Sequence, residues 1–159
     1  KLTHLVITNI TRDQPARNGN PDLIYDYIFK TLDGSTTLVV NGDDPTVSKC
    51  KILYPGKVIT YGLDKTKDSY KHSNYLSVDS AYCPKCHTKF KYDFYHYGHI
   101  GSYKCPNCDF ARNPLDFLAT DLNLDKKTLK INGKPFKINK NNLCLKHPIQ
   151  NHGSQHIFY

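Results

Sequence analysis

Two Cys-Pro-x-Cys pairs constrain this chain more than any other feature of its sequence. The first runs from Cys83 to Cys86 and the second from Cys105 to Cys108, with eighteen residues between them. Zinc takes four soft ligands in a tetrahedron, and each Cys-x-x-Cys turn supplies two thiolates. The proline inside each turn fixes one backbone dihedral and stiffens the turn. The spacing therefore predicts one structural zinc ion bound by Cys83, Cys86, Cys105 and Cys108 in a small ribbon.

The four cysteines have two alternative interpretations, which are two disulfides or thiols packed in a core. The first apolar run is too short for a signal peptide, so we expect a cytoplasmic chain, where disulfides are rare. A thioredoxin-like redox site needs one Cys-x-x-Cys motif, whereas this chain has two. Four protein ligands leave no open position on a metal, so the expected role of zinc is folding. Cys50 and Cys144 lie outside the pattern, and we expect both to act as small apolar side chains.

The chain before the cysteines has the pattern of a βαβ unit. The nearly continuous apolar run His4–Ile10 predicts a strand buried on both faces, and Thr37–Asn41 predicts a second buried strand. Between them, apolar residues recur at helical spacing after Pro21, and Lys57–Tyr61 predicts a third strand. The expected fold class is therefore α/β, with a parallel Rossmann-like sheet and a right-handed crossover.

Two later segments predict antiparallel strands. Phe90–Tyr97 alternates like a strand and would join the two cysteine turns into a ribbon. Leu124–Asn139 alternates around Asn132-Gly133, which predicts a hairpin. Its inward-facing residues are expected to be Leu129, Ile131, Phe136 and Ile138. Hydrophobic residues make up 38% of the chain, which fits two modest cores better than one large core.

Polar residues follow the first two predicted strands. Asn9 is followed by Asp13 and Gln14, and Asn41 is followed by the adjacent pair Asp43-Asp44. Ligands of open parallel sheets bind beyond the carboxyl ends of the strands, so these groups would converge on one cleft. There an amide can contact an adenine edge and carboxylates can hold Mg²⁺. The alternative interpretation is that these residues only form the turns and caps that end the strands.

Three separate motifs occur in a fixed order along the chain. They are Leu5–Gln14, Val39–Pro45, and the two cysteine turns with Tyr97–Gly101 between them. Together they resemble the central domain of the Mur ligases, in particular the MurT family, the Mur-ligase-like subunits of lipid II isoglutaminyl synthase. The resemblance extends from Leu2 to about Asn139. It implies a partial Mur ligase central domain that carries an inserted four-cysteine zinc ribbon and a β-hairpin.

The resemblance implies that the full-length subunit is an ATP-dependent amide ligase of peptidoglycan biosynthesis. Such an enzyme activates the α-carboxylate of D-glutamate in lipid II as an acyl phosphate. Ammonia from a glutaminase subunit, GatD, then displaces the phosphate and gives D-isoglutamine. Asn41 matches the asparagine that contacts adenine, while Asn9, Asp13 and Gln14 match the segment near Mg²⁺ and the γ-phosphate. Most Mur ligases carry a metal-binding histidine where this chain has Gln14.

We expect the chain to divide into four parts. Residues 1–75 would be the C-terminal part of the central α/β domain, residues 76–115 the zinc ribbon, residues 116–139 a returning hairpin, and residues 140–159 an irregular tail. The chain has no methionine, even at position 1, and its first strand begins without a lead-in. These features predict a fragment of a longer protein.

Several parts of a complete ligase are missing from these residues. The sequence has no Gly-x-x-x-x-Gly-Lys-[Ser/Thr] motif, whose backbone would cradle a triphosphate. All fourteen acidic residues are aspartates, so the catalytic glutamate of the family is not among them. We therefore assign no catalytic residue and expect the chain alone neither to hydrolyse ATP nor to ligate.

The net charge of +8 leaves two other functions open. Tyrosines and lysines alternate between Lys89 and Tyr103, which would suit a zinc ribbon that binds nucleic acid. The lysines are spread along the chain, however, as on an ordinary solvated surface, so nucleic acid is the weaker hypothesis. The third function is a purely structural or interaction domain.

Overall fold

The larger part of the fold is a six-stranded mixed sheet. The computed structural model describes residues 2–10, 21–73 and 80–138. The strand order is β1-β2-β3-β6-β7-β8, in which β1, β2, β3 and β6 are parallel and β7 and β8 pair antiparallel. The six strands are β1 (His4–Ile7), β2 (Thr37–Asn41), β3 (Val58–Leu63), β6 (Phe117–Asn123), β7 (Thr128–Ile131) and β8 (Lys134–Lys137).

Helix α1 (Pro21–Lys30) and the short helix α2 (Cys50–Leu53) accompany this sheet. A 3-10 turn, Val47–Lys49, leads into α2. The core contains Tyr25 of α1, Leu38 and Val40 of β2, and Cys50. Burial raises the pKa of the Cys50 thiol to about 12, so this cysteine acts as a small apolar side chain, as predicted.

A separate two-stranded sheet forms the ribbon. Strands β4 (Lys91–Tyr97) and β5 (Ile100–Lys104) pair antiparallel, and the segment that contains them connects β3 to its parallel neighbour β6. The ribbon has its own core of aromatic rings and cysteines, distinct from the core under the sheet. The predicted α/β class with an additional ribbon and hairpin is confirmed, as are the two modest cores.

Two predictions about burial were wrong. Strand β1 ends at Ile7 and is the first strand of the described sheet. Val6 is 60% exposed and Ile7 is 7% exposed, because only one face of this strand packs on the described core. In the hairpin, Leu129, Ile131 and Ile138 are half-buried, whereas Phe136 is 48% exposed. Phe136 lies on β8, the last strand of the described sheet.

Among the described residues, no helix is long and apolar enough to cross a bilayer.

Candidate metal centre and the neighbouring strand ends

The two cysteine turns have the same backbone geometry. The N–H of Cys83 donates to the carbonyl of Thr88, and the N–H of Cys105 donates to the carbonyl of Phe110, both at 2.9 Å. In each turn the N–H two residues after the first cysteine points at its sulfur, at 3.4 Å. Such N–H groups stabilise a thiolate, because they donate to its negative charge. The turns are therefore built to present anionic sulfur.

The four sulfurs of these turns meet at one point. Cys83 and Cys108 are 3.5 Å apart, Cys86 and Cys105 are 3.4 Å apart, and all four sulfurs lie within 4.8 Å of one another. Zinc–sulfur bonds of about 2.3 Å at tetrahedral angles separate the sulfurs by about 3.8 Å. A disulfide needs about 2.05 Å, so none of the four is paired in this way. The cluster fits a tetrahedral metal ion.

The thiols of the cluster differ in how readily they ionise. The hydroxyl and the backbone N–H of Thr88 hold the pKa of Cys86 well below its usual value, at about 5. Burial raises the pKa of Cys83 instead. A divalent cation would bring all four sulfurs to the thiolate form, because its positive charge favours the anionic sulfur over the neutral thiol.

Aromatic rings fill the interior of the ribbon around the cysteines. Phe90, Tyr103 and Phe110 have ring centroids 5.1 to 6.0 Å apart, and Tyr103 is 2% exposed. Tyr92 packs against the same cluster and donates its hydroxyl proton to the carbonyl of His99 at 2.9 Å. Rings that pack in a core cannot stack on bases, so this arrangement disfavours the nucleic-acid hypothesis.

An ion pair fixes the ribbon to the sheet. The Nε of Arg112 donates to Asp43 at 2.5 Å, and both side chains are about 95% buried. A second nitrogen of Arg112 donates to the carbonyl of Leu63 at 2.7 Å, and the guanidinium lies 5.8 Å from the centre of the Phe94 ring. The N–H of Gly101 donates to the carbonyl of Asp43 at 2.9 Å. The ribbon therefore contacts Asp43, which follows β2, through both its carboxylate and its backbone carbonyl.

Asp44, the next residue, makes a second connection. Its side chain is fully buried, and its Oδ1 lies 3.2 Å from the Nε2 of His99, in the turn between β4 and β5. Its Oδ2 accepts the N–H of Ile10, just beyond β1, at 3.2 Å. The same carboxylate also accepts the N–H of Thr46 at 2.8 Å. Asp44 therefore joins the ribbon to the ends of two neighbouring strands.

Further polar contacts connect the ribbon to the sheet near Asp43 and Asp44. His96 of β4 lies with Nε2 2.8 Å from the carbonyl of Leu63 and Nδ1 3.1 Å from the hydroxyl of Ser69. Lys51 of α2 donates to the carbonyls of Ala111 and Arg112 at 3.1 and 3.2 Å. Burial lowers the pKa of Lys51. The ribbon is therefore held at the carboxyl edge of the parallel strands.

Of the residues predicted to bind nucleotide, two lie at this edge. Asn41 ends β2 and is half-buried, and its Oδ1 accepts the N–H of Asp43 at 3.0 Å. Asn9 is also half-buried and follows the parallel strand β1. Asp13 and Gln14 lie outside the described residues.

For Asp43 and Asp44, the structure favours the turn-and-cap interpretation over Mg²⁺ ligation. Both carboxylates are buried and accept hydrogen bonds from protein donors. Sequence reasoning missed their partners Arg112 and His99. Arg112 is one of three arginines in a chain with nineteen lysines, and this rarity was the one available signal.

Comparison with known proteins agrees with this geometry. No family model matches the chain. It is 33% identical over 140 residues to the MurT subunit of lipid II isoglutaminyl synthase (glutamine-hydrolysing) from Staphylococcus aureus strain COL, covering 81% of this chain and 31% of that protein. The same subunit from Streptococcus pneumoniae strain R6 is 33% identical over 119 residues, covering 74% of this chain and 26% of that protein.

A solved structure supports the same relationship. A pseudomurein peptide ligase type C from Methanothermus fervidus superposes with a TM-score of 0.59 at 26% identity, covering 87% of this chain and 25% of that one. The chain thus spans about a third or less of the length of the proteins that it matches. The resemblance drawn from the three sequence motifs is confirmed. The chain is a homologue of the MurT subunits and covers 31% and 26% of the lengths of the two relatives.

Proposed function

We propose that this chain supplies part of the nucleotide cleft and a structural zinc ribbon to an ATP-dependent ligase subunit of peptidoglycan synthesis. The proposal rests on the position of the four-cysteine ribbon, which lies at the carboxyl edge of the parallel strands, beside Asn9 and Asn41. In open parallel sheets this edge is where ligands bind. The similarity to the MurT subunits gives the site its chemical context.

The full reaction would be amidation of lipid II. The α-carboxylate of D-glutamate attacks the γ-phosphate of ATP, which gives an acyl phosphate and ADP. Ammonia then displaces inorganic phosphate, which leaves the amide of D-isoglutamine. A partner glutaminase subunit, GatD, would supply the ammonia, in keeping with the words "glutamine-hydrolysing" and "subunit" in the names of the relatives.

In this proposal Asn41 contacts adenine through its amide nitrogen. Its side-chain oxygen accepts the N–H of Asp43, and the amide nitrogen would donate to a ring nitrogen of the base. Asn9, with Asp13 and Gln14 in the segment after β1, would face the phosphates and the Mg²⁺ that neutralises them. The cysteine cluster would hold zinc away from the chemistry, because four protein ligands leave no position for substrate.

Adenine recognition can be tested with the substitution Asn41→Asp. Aspartate keeps the oxygen that accepts from Asp43 but replaces the donor nitrogen by an acceptor. We expect binding of ATP with Mg²⁺, measured by isothermal titration on the zinc-loaded chain, to weaken at least tenfold. Such a loss matches the penalty of leaving a polar group of the base unpaired.

The matched control is Asn123→Asp. Asn123 also accepts a nearby backbone N–H through Oδ1, from Lys126 at 2.8 Å. It lies six residues beyond Phe117, which is the residue of β6 at the level of Asn41 in the sheet. The control should bind ATP like the parent. Equal affinity of the parent and Asn41→Asp would refute the adenine assignment.

By itself the chain should turn over no substrate. It contains no P-loop motif and no glutamate, so the groups that hold the triphosphate and activate the carboxylate are not among its residues. These functions would reside in other parts of the full-length subunit.

A further inference from the structure

We infer that the ribbon carries a docking surface for an anionic lipid bilayer, formed by the exposed side chains of Tyr82, Lys89, Lys91 and Lys104. We call this set the lysine face of the ribbon. That a ligase subunit would use this face to reach a lipid substrate rests on the function proposed above, whereas the docking surface itself does not.

The lysine face arises from the alternation of lysines with aromatic residues in the ribbon. Phe90 is 7% exposed and packs in the ribbon core, whereas Lys89 and Lys91 on either side of it are exposed. On β5, Lys104 is exposed and follows Tyr103, which belongs to the same core. Because neighbouring residues of a strand point to opposite faces, the rings lie on the inner face and the lysines on the outer face.

Two of these lysines lie directly opposite each other. Lys91 of β4 pairs with Lys104 of β5 in the antiparallel register. Opposite residues of such a pair have Cβ atoms about 4.5 to 5.5 Å apart, and like charges there destabilise the sheet. Lys89 comes two residues before Lys91 and lies opposite Tyr82, not opposite an acid. The ribbon thus holds three positive charges on one small surface against their mutual repulsion.

The described part of the chain does not neutralise these charges. Exposed lysines elsewhere form ion pairs, as Lys130 does with Asp121. Within the described residues, none of the three lysines of the lysine face takes part in an ion pair. Asp93, the one acid of β4, accepts the hydroxyl of Ser102 at 3.3 Å. An anionic partner would therefore offset the repulsion that the ribbon leaves in place.

A bilayer fits this face better than a nucleic acid does. Tyr82 is 61% exposed and lies opposite Lys89. Tyrosine is enriched at membrane–water interfaces, and lysine stems lie along apolar surface while their ammonium groups stay in water. Tyr92 and Tyr103 pack in the ribbon core, where they cannot stack on bases. The relatives are named as synthases of a lipid II derivative, so their substrate is itself a lipid.

Vesicle binding by the zinc-loaded 159-residue chain tests the lysine face. The probes are vesicles of phosphatidylcholine with phosphatidylglycerol, vesicles of phosphatidylcholine alone, and a duplex DNA oligonucleotide. We expect the chain to sediment with the anionic vesicles, less so as the salt concentration rises, and not with the neutral ones. Each lysine near an anionic surface strengthens binding about fivefold, so Lys91→Gln combined with Lys104→Gln should weaken it at least tenfold.

The matched control combines Lys126→Gln with Lys127→Gln, which removes the same charge from two exposed lysines between β6 and β7. It should bind the anionic vesicles within about twofold of the parent, because only charges near the membrane contribute strongly. Lys91→Arg with Lys104→Arg keeps both charges and should bind like the parent. If the glutamine variant of the lysine face loses its zinc, Lys89→Gln decides, since Lys89 lies outside β4 and β5. Weaker vesicle binding then supports the docking surface, and parent-like binding overturns it.

Three results would overturn the proposal. The parent would show no preference for anionic over neutral vesicles, or the lysine-face variant and its control would weaken equally, as for diffuse charge. In the third, the same lysines would bind the DNA more tightly than the anionic vesicles, which would make the face a nucleic-acid interface.

The vesicles contain neither lipid II nor ATP, so this test is independent of the ligase function. Vesicle binding through the lysine face, together with equal ATP affinity of the parent and Asn41→Asp, would refute the adenine assignment alone. Weakened ATP binding by Asn41→Asp in a chain that ignores anionic vesicles would refute the docking surface alone.

Discussion

Single buried side chains decide how the ribbon meets the sheet. Arg112 and Asp43 form a pair in which each charge is about 95% buried. Removing charges from water is expensive, so such a pair adds little net stability compared with apolar side chains of similar size. Its effect is on specificity, because only one docking arrangement satisfies both charges. The contact between Asp44 and His99 adds a second connection between ribbon and sheet, one residue further along the chain.

Asp116 is a residue whose contribution should depend on pH. It accepts the backbone N–H and the hydroxyl of Thr60 on one oxygen, at 2.7 and 2.9 Å, next to the start of β6. The backbone N–H of Thr60, followed by its hydroxyl, lowers the pKa of Asp116. A carboxyl with a lowered folded-state pKa stabilises the fold above its unfolded pKa, and this stabilisation is lost as the pH falls through the folded pKa.

We therefore expect Asp116→Asn to be less stable than the parent at pH 7, by no more than about 1 kcal/mol because solvent screens this largely exposed group. The difference should shrink below pH 4, near the ordinary aspartate pKa of 3.8. Urea unfolding at pH 7, 4 and 2.5 measures it. Asp125→Asn, in an exposed turn, is the control. A difference between Asp116→Asn and the parent that stays constant over this range would contradict the prediction.

At the scale of elements, the ribbon takes the place of a helix. Parallel neighbours such as β3 and β6 need a crossover connection, which is usually an α-helix. Here the crossover contains two short strands and four clustered cysteines. Gly101 is required in β5, because an added Cβ would lie 2.3 Å from the carbonyl oxygen of Phe94. So small an element has little apolar surface, and metal binding should supply its stability.

Removal of the metal should unfold the ribbon first. We expect about one zinc per chain by elemental analysis and loss of the near-ultraviolet tyrosine signal on chelation, since Tyr92 and Tyr103 belong to the ribbon core. Cys86→Ser should bind zinc at least tenfold more weakly. Cys50→Ser is the control, because Cys50 lies in the other core. Purified chain without bound metal, together with a fold insensitive to chelators, would refute the zinc assignment.

Local patterns predicted the elements, whereas contacts between distant segments escaped prediction. Strands β2 and β3, the Asn132-Gly133 hairpin and the cysteine cluster all follow from spacing within short windows. The pairing of Asp43 with Arg112 spans 69 residues and has no periodic signature. The exposure of Val6 also depends on which face of β1 packs on the core, and no local pattern encodes this.

At the scale of the whole molecule, the ribbon and the sheet should stabilise each other. Arg112→Met leaves the buried charge of Asp43 without its partner, which costs about 3 to 5 kcal/mol for pairs of this kind. We expect a lower urea midpoint, with part of the loss recovered when Asp43→Asn is added, because the unpaired charge is then removed. Coupling of this size is typical of groups in direct contact.

The control for this pair is Lys130→Met. Lys130 forms an exposed ion pair with Asp121, and its removal should leave the urea midpoint close to that of the parent. A midpoint for Arg112→Met that equals the parent value would show that the ribbon and the sheet are energetically independent.

The chain leaves the sheet after Leu63 and re-enters it at Phe117, which pairs opposite Tyr61. The two ends of the ribbon segment are therefore neighbours, and a crossover shorter than the ribbon segment could connect them. Deletion of the ribbon segment would nevertheless leave Asp43 and Asp44 without the arginine and the histidine that face them. We therefore expect relatives of this fold without the ribbon to differ at positions 43 and 44, where the partners Arg112 and His99 are then absent.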